Sequence, residues 1–185
     1  SPTGDTYSYG ASASTERALG SIASSKLETK FGAQFTNNTG NTIDQLVISY
    51  TGEEWRFDPS RGTTIKDQIV FEYSTNATSL TTGTWTAVTA LLYETTNLTG
   101  TVGTRNGNDA AYRTSLSNTI SGLNIAVGQI FWIRFVDINV SGTDDGLAVD
   151  DFSLTPINST LSVNDISKTK NIFLKNTMVD NTLSF

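Results

Sequence analysis

The feature that most constrains this chain is the spacing of its apolar residues. They recur at every second position in short runs, and no stretch of helical length shows the 3.6-residue spacing of an amphipathic helix. Phe31, Ala33 and Phe35 alternate with Gly32, Gln34 and Thr36. Leu46, Ile48 and Tyr50 alternate with Val47, Ser49 and Thr51, and Ile69, Phe71 and Tyr73 with Val70, Glu72 and Ser74. Successive side chains of a strand point to opposite faces, so each run reads as a strand with one buried face. Asn38-Thr39-Gly40 and Thr81-Thr82-Gly83 are turn signals between such runs. Ile130 to Ile138 is apolar on both faces apart from Arg134 and Asp137, which predicts a central strand. Gly146 to Leu154 is a second strong strand, and Ala110 to Leu116 allows one short helical turn.

Six to nine short strands with polar turns predict an all-β chain folded as an antiparallel β-sandwich, jelly-roll-like rather than immunoglobulin-like. The Cys-Trp-Cys framework of immunoglobulin domains is missing, the turns are irregularly spaced, and no internal repeat has a fixed period. With 185 residues, the chain suits one domain and a short appendage. Ser, Thr, Asn and Gly fill 80 of those positions, which favours strands and turns over helices.

Two absences exclude whole classes of chemistry. Without Cys there is no disulfide, thiol nucleophile or thiolate metal site; without His there is no imidazole base, no Ser-His-Asp triad and no His-ligated zinc. The net charge of −6 lacks the basic footprint of a nucleic-acid binder. No apolar window is long enough to insert in a bilayer, and Ser1-Pro2-Thr3-Gly4 lacks the basic start and apolar middle of a signal peptide.

Charge shifts near residue 157. Up to Ile157 there are 9 basic and 16 acidic residues, a balance of −7; from Asn158 on there are 3 and 2, a balance of +1. This predicts a sandwich domain over 1–157 and a linker with a docking segment over 158–185. Pro156 and Asn158-Ser159-Thr160 read as the linker, and Ile172-Phe173-Leu174 and Thr182-Leu183-Ser184-Phe185 as strand-like runs. The second run stops in mid-pattern, so the segment is expected to continue.

Several constellations carry chemistry. Asp144, Asp145, Asp150 and Asp151 place four carboxylates within eight residues, a candidate oxygen cage for a structural Ca²⁺. Alternation puts Asp150 and Asp151 on opposite faces, so only one of them can share a site with inner-face groups. The plainer account is structural. Ala148, Asp150, Phe152 and Leu154 share a face, and a buried Asp150 needs a partner such as Arg134, Arg17 or Arg56. Glu53 and Glu54 beside Trp55 resemble a glycosidase pair, but neighbours in a strand point apart and no second acid stands out. An ion pair between Glu54 and Arg56 or another Arg, with Trp55 in the core, explains them more simply. Trp55, Trp85, Tyr93 and Tyr112, with Arg105, Asn106 and Asn108 as hydrogen-bonding loop residues, form a candidate sugar-binding set. Trp132 is expected in the core.

Several motifs occur in order: Tyr7-Ser8-Tyr9-Gly10, Glu16-Arg17-Ala18-Leu19-Gly20, Tyr50-Thr51-Gly52-Glu53-Glu54-Trp55-Arg56, Phe131-Trp132-Ile133-Arg134 and Asp144 to Leu154. Over roughly 5–155 this order resembles the secreted β-sandwich domains of large exported proteins of Bacteroidetes, which accompany nucleases, glycan-active enzymes and adhesin-like repeats. The resemblance implies a strand or two ahead of Tyr7. The tail from Leu161 resembles the opening of a C-terminal sorting domain for type IX secretion, with Leu174-Lys175-Asn176-Thr177 in place of the usual Tyr-Pro-Asn-Pro. It implies a protein that crosses the outer membrane of a Gram-negative bacterium and is released or held at the cell surface, with the secretion machinery as partner.

The expected function is therefore a non-catalytic module that presents a neighbouring domain or binds glycan. One alternative is a jelly-roll polysaccharide hydrolase or lyase, the lyase using Tyr, Lys or Arg where His is missing. Another is an adhesin repeat. A groove in which an acid or Tyr meets an Arg and an aromatic wall would favour the enzyme.

Overall fold

The computed structural model describes residues 4–158; the expected sorting segment lies outside them. The chain forms two packed antiparallel sheets. In chain order the strands are β1 (Asp5–Tyr9), β2 (Ala18–Ile22), β3 (Lys30–Thr36), β4 (Ile43–Phe57), β5 (Gln68–Ser74), β6 (Thr86–Ala87), β7 (Tyr93–Glu94), β8 (Gly103–Thr104), β9 (Arg113–Ile120), β10 (Ile130–Ile138) and β11 (Gly146–Asn158). Sheet one runs β1-β2-β11-β4, with β8 and β9 sharing the far edge of the long β4. Sheet two runs β3-β10-β5, with β6 and β7 both on β5. The β-sandwich class read from the alternation is thus the observed one.

The inner faces are those the alternation marked. Leu46, Ile48 and Tyr50 of β4 pack against Ile69 and Phe71 of β5 and Phe131, Ile133 and Phe135 of β10. Phe31, Ala33 and Phe35 close one side of this core, and Leu91 and Tyr93 are wholly enclosed within it. β10 is the central strand of its sheet, as its two apolar faces predict. The short turn expected near Ala110 is present, with Tyr112 N donating to Asp109 O at 2.9 Å, but β9 starts at Arg113 and takes the rest of that segment.

Two irregularities decide where the polar residues point. Between Asp150 and Ser153 the register of β11 against β4 shifts, so that Asp151 and Phe152 together oppose Tyr50. Asp151 takes φ 51°, a left-handed conformation that Asp tolerates better than most residues. Before this bulge Leu147 and Val149 face inward; after it the parity reverses and Leu154 joins the core. A second shift, at Gly146/Leu147, turns Trp55 and Arg56 outward while Phe57 returns to the interior. Pro156 was read as linker, but it lies within β11 opposite Leu46. There β2 no longer pairs with β11, so the missing proline N–H faces an open edge.

Candidate functional site

The outer face of sheet one carries the most developed constellation. Tyr7 and Tyr9 alternate with Ser8 on β1 and face outward beside Gly20 and Ala18. Tyr9 stacks on Trp55, with centroids 5.9 Å apart and planes 11° apart, and Tyr7 meets Tyr9 at 5.4 Å. The loop after β8 closes over Trp55: Arg105 N donates to Trp55 O at 2.8 Å. Gly107 approaches the indole so closely that a Cβ would lie 2.3 Å from Nε1. Only glycine lets the loop settle there.

Between β1, the end of β4 and this loop lies a cleft of about 390 Å³, lined by Tyr7, Tyr9, Trp55, Arg56, Arg105 and Asn106 among others. Its two cations are pre-set. Arg56 donates from Nη1 to Asp144 O at 2.9 Å and from Nη2 to Asp58 Oδ2 at 2.7 Å. Arg105 lies over the Phe57 and Tyr112 rings, 5.2 and 5.4 Å from their centroids, and donates from Nη2 to Thr101 O at 2.9 Å. Asn106 Nδ2 donates to Asp109 Oδ1 at 2.9 Å. Among the described residues, no Asp or Glu lines the cleft. It therefore offers ring faces and fixed donors, but not the two flanking carboxyls of a glycosidase.

Behind Trp55, on the same outer face, three carboxylates converge: Glu16 from the β1–β2 loop, Glu53 from β4 and Asp150 from β11. One oxygen of each lies within 4.8 Å of the others. Glu53 is fully buried, and its Oε2 accepts from Trp55 Nε1 at 2.9 Å. Asn108 Nδ2 donates to Glu16 Oε2. Glu53 Oε1 and Glu16 Oε1 are buried with no hydrogen-bond partner. Burial pushes Glu53 up to about 6 against the Trp55 hydrogen bond, with repulsion from Asp150 and Glu16 adding to the rise and Arg113 opposing it.

The interior end of the sandwich holds a different acidic group. Asp145 is completely enclosed and paired with Arg61 Nη2, and accepts from Asp58 N at 2.8 Å. Its own N–H donates to Asp67 Oδ2 at 2.5 Å. Asp144 Oδ1 accepts from Val140 N at 3.1 Å.

The expected metal set of Asp144, Asp145, Asp150 and Asp151 is not brought together. Asp144 and Asp145 belong to the interior network, Asp150 faces outward, and the bulge sends Asp151 to the surface beside Arg113 Nη2 at 3.3 Å. The expected ion pairs are re-partnered for the same reason. Asp150 and Arg134 lie on the outer faces of different sheets, so Arg134 binds Glu72 Oε2 at 2.6 Å instead. Arg56 takes Asp58, because Glu54 points inward, where its Oε2 accepts from Asn97 Nδ2 at 3.2 Å.

Of the expected sugar-binding set, Trp55, Arg105 and Asn106 do share the cleft, although Trp55 is 6% exposed and has Tyr9 stacked on its ring. Tyr93 is 1% exposed in the core, where Gly52 leaves room for its ring. Tyr112 is covered by Arg105, and Asn108 turns toward Glu16. Trp85 lies on the other sheet, its ring capped by Arg134 at 4.0 Å. Trp132, expected in the core, is only partly buried: the even positions of β10 face outward with Arg134, while Phe131, Ile133 and Phe135 face in.

Tyr7, Tyr9 and Glu16 are not among the residues the sequence singles out for a site, and Glu53 stands there only as half of a glycosidase-like pair with Glu54. The Tyr-Ser-Tyr alternation was the available signal for the first two, and none marks Glu16.

No protein-family model matches the sequence, and no curated protein matches it. A solved structure of TmCBM61 in complex with beta-1,4-galactotriose is similar to this chain at 13% identity and a TM-score of 0.40, over 78% of this chain and 74% of that one.

Proposed function

We propose that this chain is a non-catalytic saccharide-binding module of an exported protein, and that the cleft lined by Tyr7, Tyr9, Arg56, Arg105 and Asn106 is its binding site. The carrying observation is the cleft itself: two half-buried tyrosine rings beside two guanidinium groups held in place by other contacts. A sugar ring has an apolar face and a rim of hydroxyls. Aromatic faces bury the first, and pre-oriented Arg and Asn donors satisfy the second without further ordering. Titration calorimetry against neutral and uronate-bearing oligosaccharides tests this. Tyr7→Ala and Arg105→Ala should each weaken binding at least about tenfold, a loss of about 1.4 kcal/mol. No heat across the whole panel would sink the reading.

One observation favours a second reading. Tyr9 stands beside Arg56 against an aromatic wall, the arrangement a lyase would need. Against it, burial lifts the Tyr9 hydroxyl well above its ordinary range, and that hydroxyl lies 3.3 Å from Ser21 O, to which it donates. A proton held this firmly makes a poor base. Release of unsaturated ends from an acidic polysaccharide would establish the lyase; intact polymer supports the binding module.

Export through type IX secretion rests on the sequence of the tail alone. Fractionation of the native cell tests it: recovery from the surface or medium supports export, and retention in the cytoplasm excludes it.

A further inference from the structure

The geometry points to a calcium site formed by Glu16, Glu53 and Asp150, behind Trp55 on the outer face of sheet one. An acidic cluster alone would be unremarkable, since exposed carboxylates gather without a metal. This one differs because Glu53 is fully buried and one of its oxygens has no hydrogen-bond partner, and an oxygen of Glu16, a member of the same group, is equally bare. A buried carboxylate oxygen without a donor is costly. Here two occur together, in a group whose three ligand oxygens lie within 4.8 Å of one another.

Among the described residues no cation makes an ion pair with this group. Arg113 pairs opposite Glu53 in the strand register, but its guanidinium goes to Asp151 at 3.3 Å. The donors that do reach the group take other oxygens: Trp55 Nε1 binds Glu53 Oε2, Asn108 Nδ2 binds Glu16 Oε2, and Asp151 N donates to Asp150 Oδ1 at 2.8 Å. What remains is a convergence of three carboxylates, two of them with a buried oxygen that receives no donor.

The donor set selects the ion. All ligands are carboxylate oxygens, which suits a hard cation and not a soft metal. Calcium ligands at about 2.3–2.6 Å can stand up to about 5 Å apart across the ion, whereas magnesium at about 2.0–2.1 Å needs a tighter octahedron. Oxygens that all lie within 4.8 Å of one another fit inside the span of a calcium shell, whose looser geometry tolerates ligands fixed by three separate strands and loops. Three carboxylates supply three to six oxygens, and a flip of the Asn108 amide would turn its oxygen inward as one more. The ion would tie the β1–β2 loop, β4 and β11 together. Through Glu53 it would also steady Trp55, the floor of the cleft; that consequence rests on the saccharide reading, whereas the site itself does not.

Terbium tests the site without any glycan. Tb³⁺ takes calcium ligands and luminesces when excited through a neighbouring indole, here Trp55. Chelator-treated protein should give sensitised emission saturating at one equivalent and displaced by Ca²⁺. Glu16→Gln and Asp150→Asn, shown folded by circular dichroism, should each weaken Ca²⁺ binding at least about tenfold, since affinity follows ligand charge. Absence of emission from folded wild-type protein overturns the proposal. So does emission that survives unchanged in the Glu16→Gln/Asp150→Asn double variant, because the ion would then lie elsewhere.

Discussion

Two groups of buried acids in this molecule solve the same problem differently. At the interior end, Asp145 receives Arg61, itself enclosed, together with the Asp58 amide. On the outer face of sheet one, Glu53 is as deeply buried as Asp145, yet one of its oxygens receives nothing. The first group carries its counter-charge within the sequence. The second has no matching cation among the described residues, which is the physical sense in which it is open to a ligand. Burial alone therefore does not separate a structural carboxylate from a functional one, and neither does a bare oxygen, which Glu54 and Asp137 also carry; at Glu53 the bare oxygen coincides with a second one on Glu16 and with three converging carboxylates.

The sharpest way to break this comparison is to remove the internal cation. Arg61→Ala leaves Asp145 enclosed and uncompensated and should destabilise the fold by about 3–5 kcal/mol in urea denaturation, with or without calcium. A loss below about 1 kcal/mol would show that the interior network is not self-neutralised as described. The counterpart is Glu53→Gln, which keeps the shape and removes the charge. In chelator its stability should equal or exceed wild type by about 1 kcal/mol, because the desolvated charge is gone. In millimolar Ca²⁺ the order should reverse. If Glu53→Gln instead loses stability equally in chelator and in Ca²⁺, the two acid groups do not differ in the way proposed.

Acidity offers a third handle. Burial, ahead of the opposing Asn97 hydrogen bond, raises Glu54 to about 7, with Asp145, Arg105 and Arg61 around it. Burial likewise raises Asp137 to about 7 against the Ser21 hydrogen bond, facing Asp144 and Glu28. Both groups hold protons in the fold where the unfolded chain has lost them. Their contribution is complete below about pH 4 and fades as pH rises toward 7. Asp58 is held low, so it acts only below this window. The melting temperature in chelator should therefore fall between pH 5 and pH 8, and Glu54→Gln should flatten that slope. A melting temperature that rises over this interval would contradict it.

The smallest effect is expected on the outer face of sheet two. Glu72→Gln, loosening the Arg134 pair, should cost about 0–1 kcal/mol, because the pair is partly wet and Arg134 keeps Trp85 and the Leu80 carbonyl. A larger loss in thermal denaturation would make this face a second buried network.

The sheets were legible in the sequence because period-2 alternation reports burial directly. Leu46, Ile48 and Tyr50, or Phe31, Ala33 and Phe35, needed nothing beyond their spacing. The acids were harder, because their orientation depends on parity, and parity is reset by irregularities that leave no apolar signal. The face shared by Ala148 and Asp150 does not continue to Leu154, since the bulge adds a residue between them. Reading Asp150 as inward therefore led to Arg134, on the far sheet. Trp132 is hard to place for a related reason: an aromatic in an apolar strand reads as core, although its even-numbered neighbour Arg134 marks that face as outer. The convergence of Glu16, Glu53 and Asp150 joins segments 134 positions apart between the first and last, and no local pattern encodes such a meeting.

The extra residue in β11 sets a rule about length. Removing one position from Asp151-Phe152 would restore an unbroken ladder and leave Ser153 and Leu154 on their present faces, whereas removing both would swap the two sides of everything downstream, sending Leu154 to water and Ser153 into hydrocarbon. Most surface loops can gain or lose a residue cheaply; this step can spare one residue but not two, so the spacing after it is as much a part of the fold's specification as any side chain in the core.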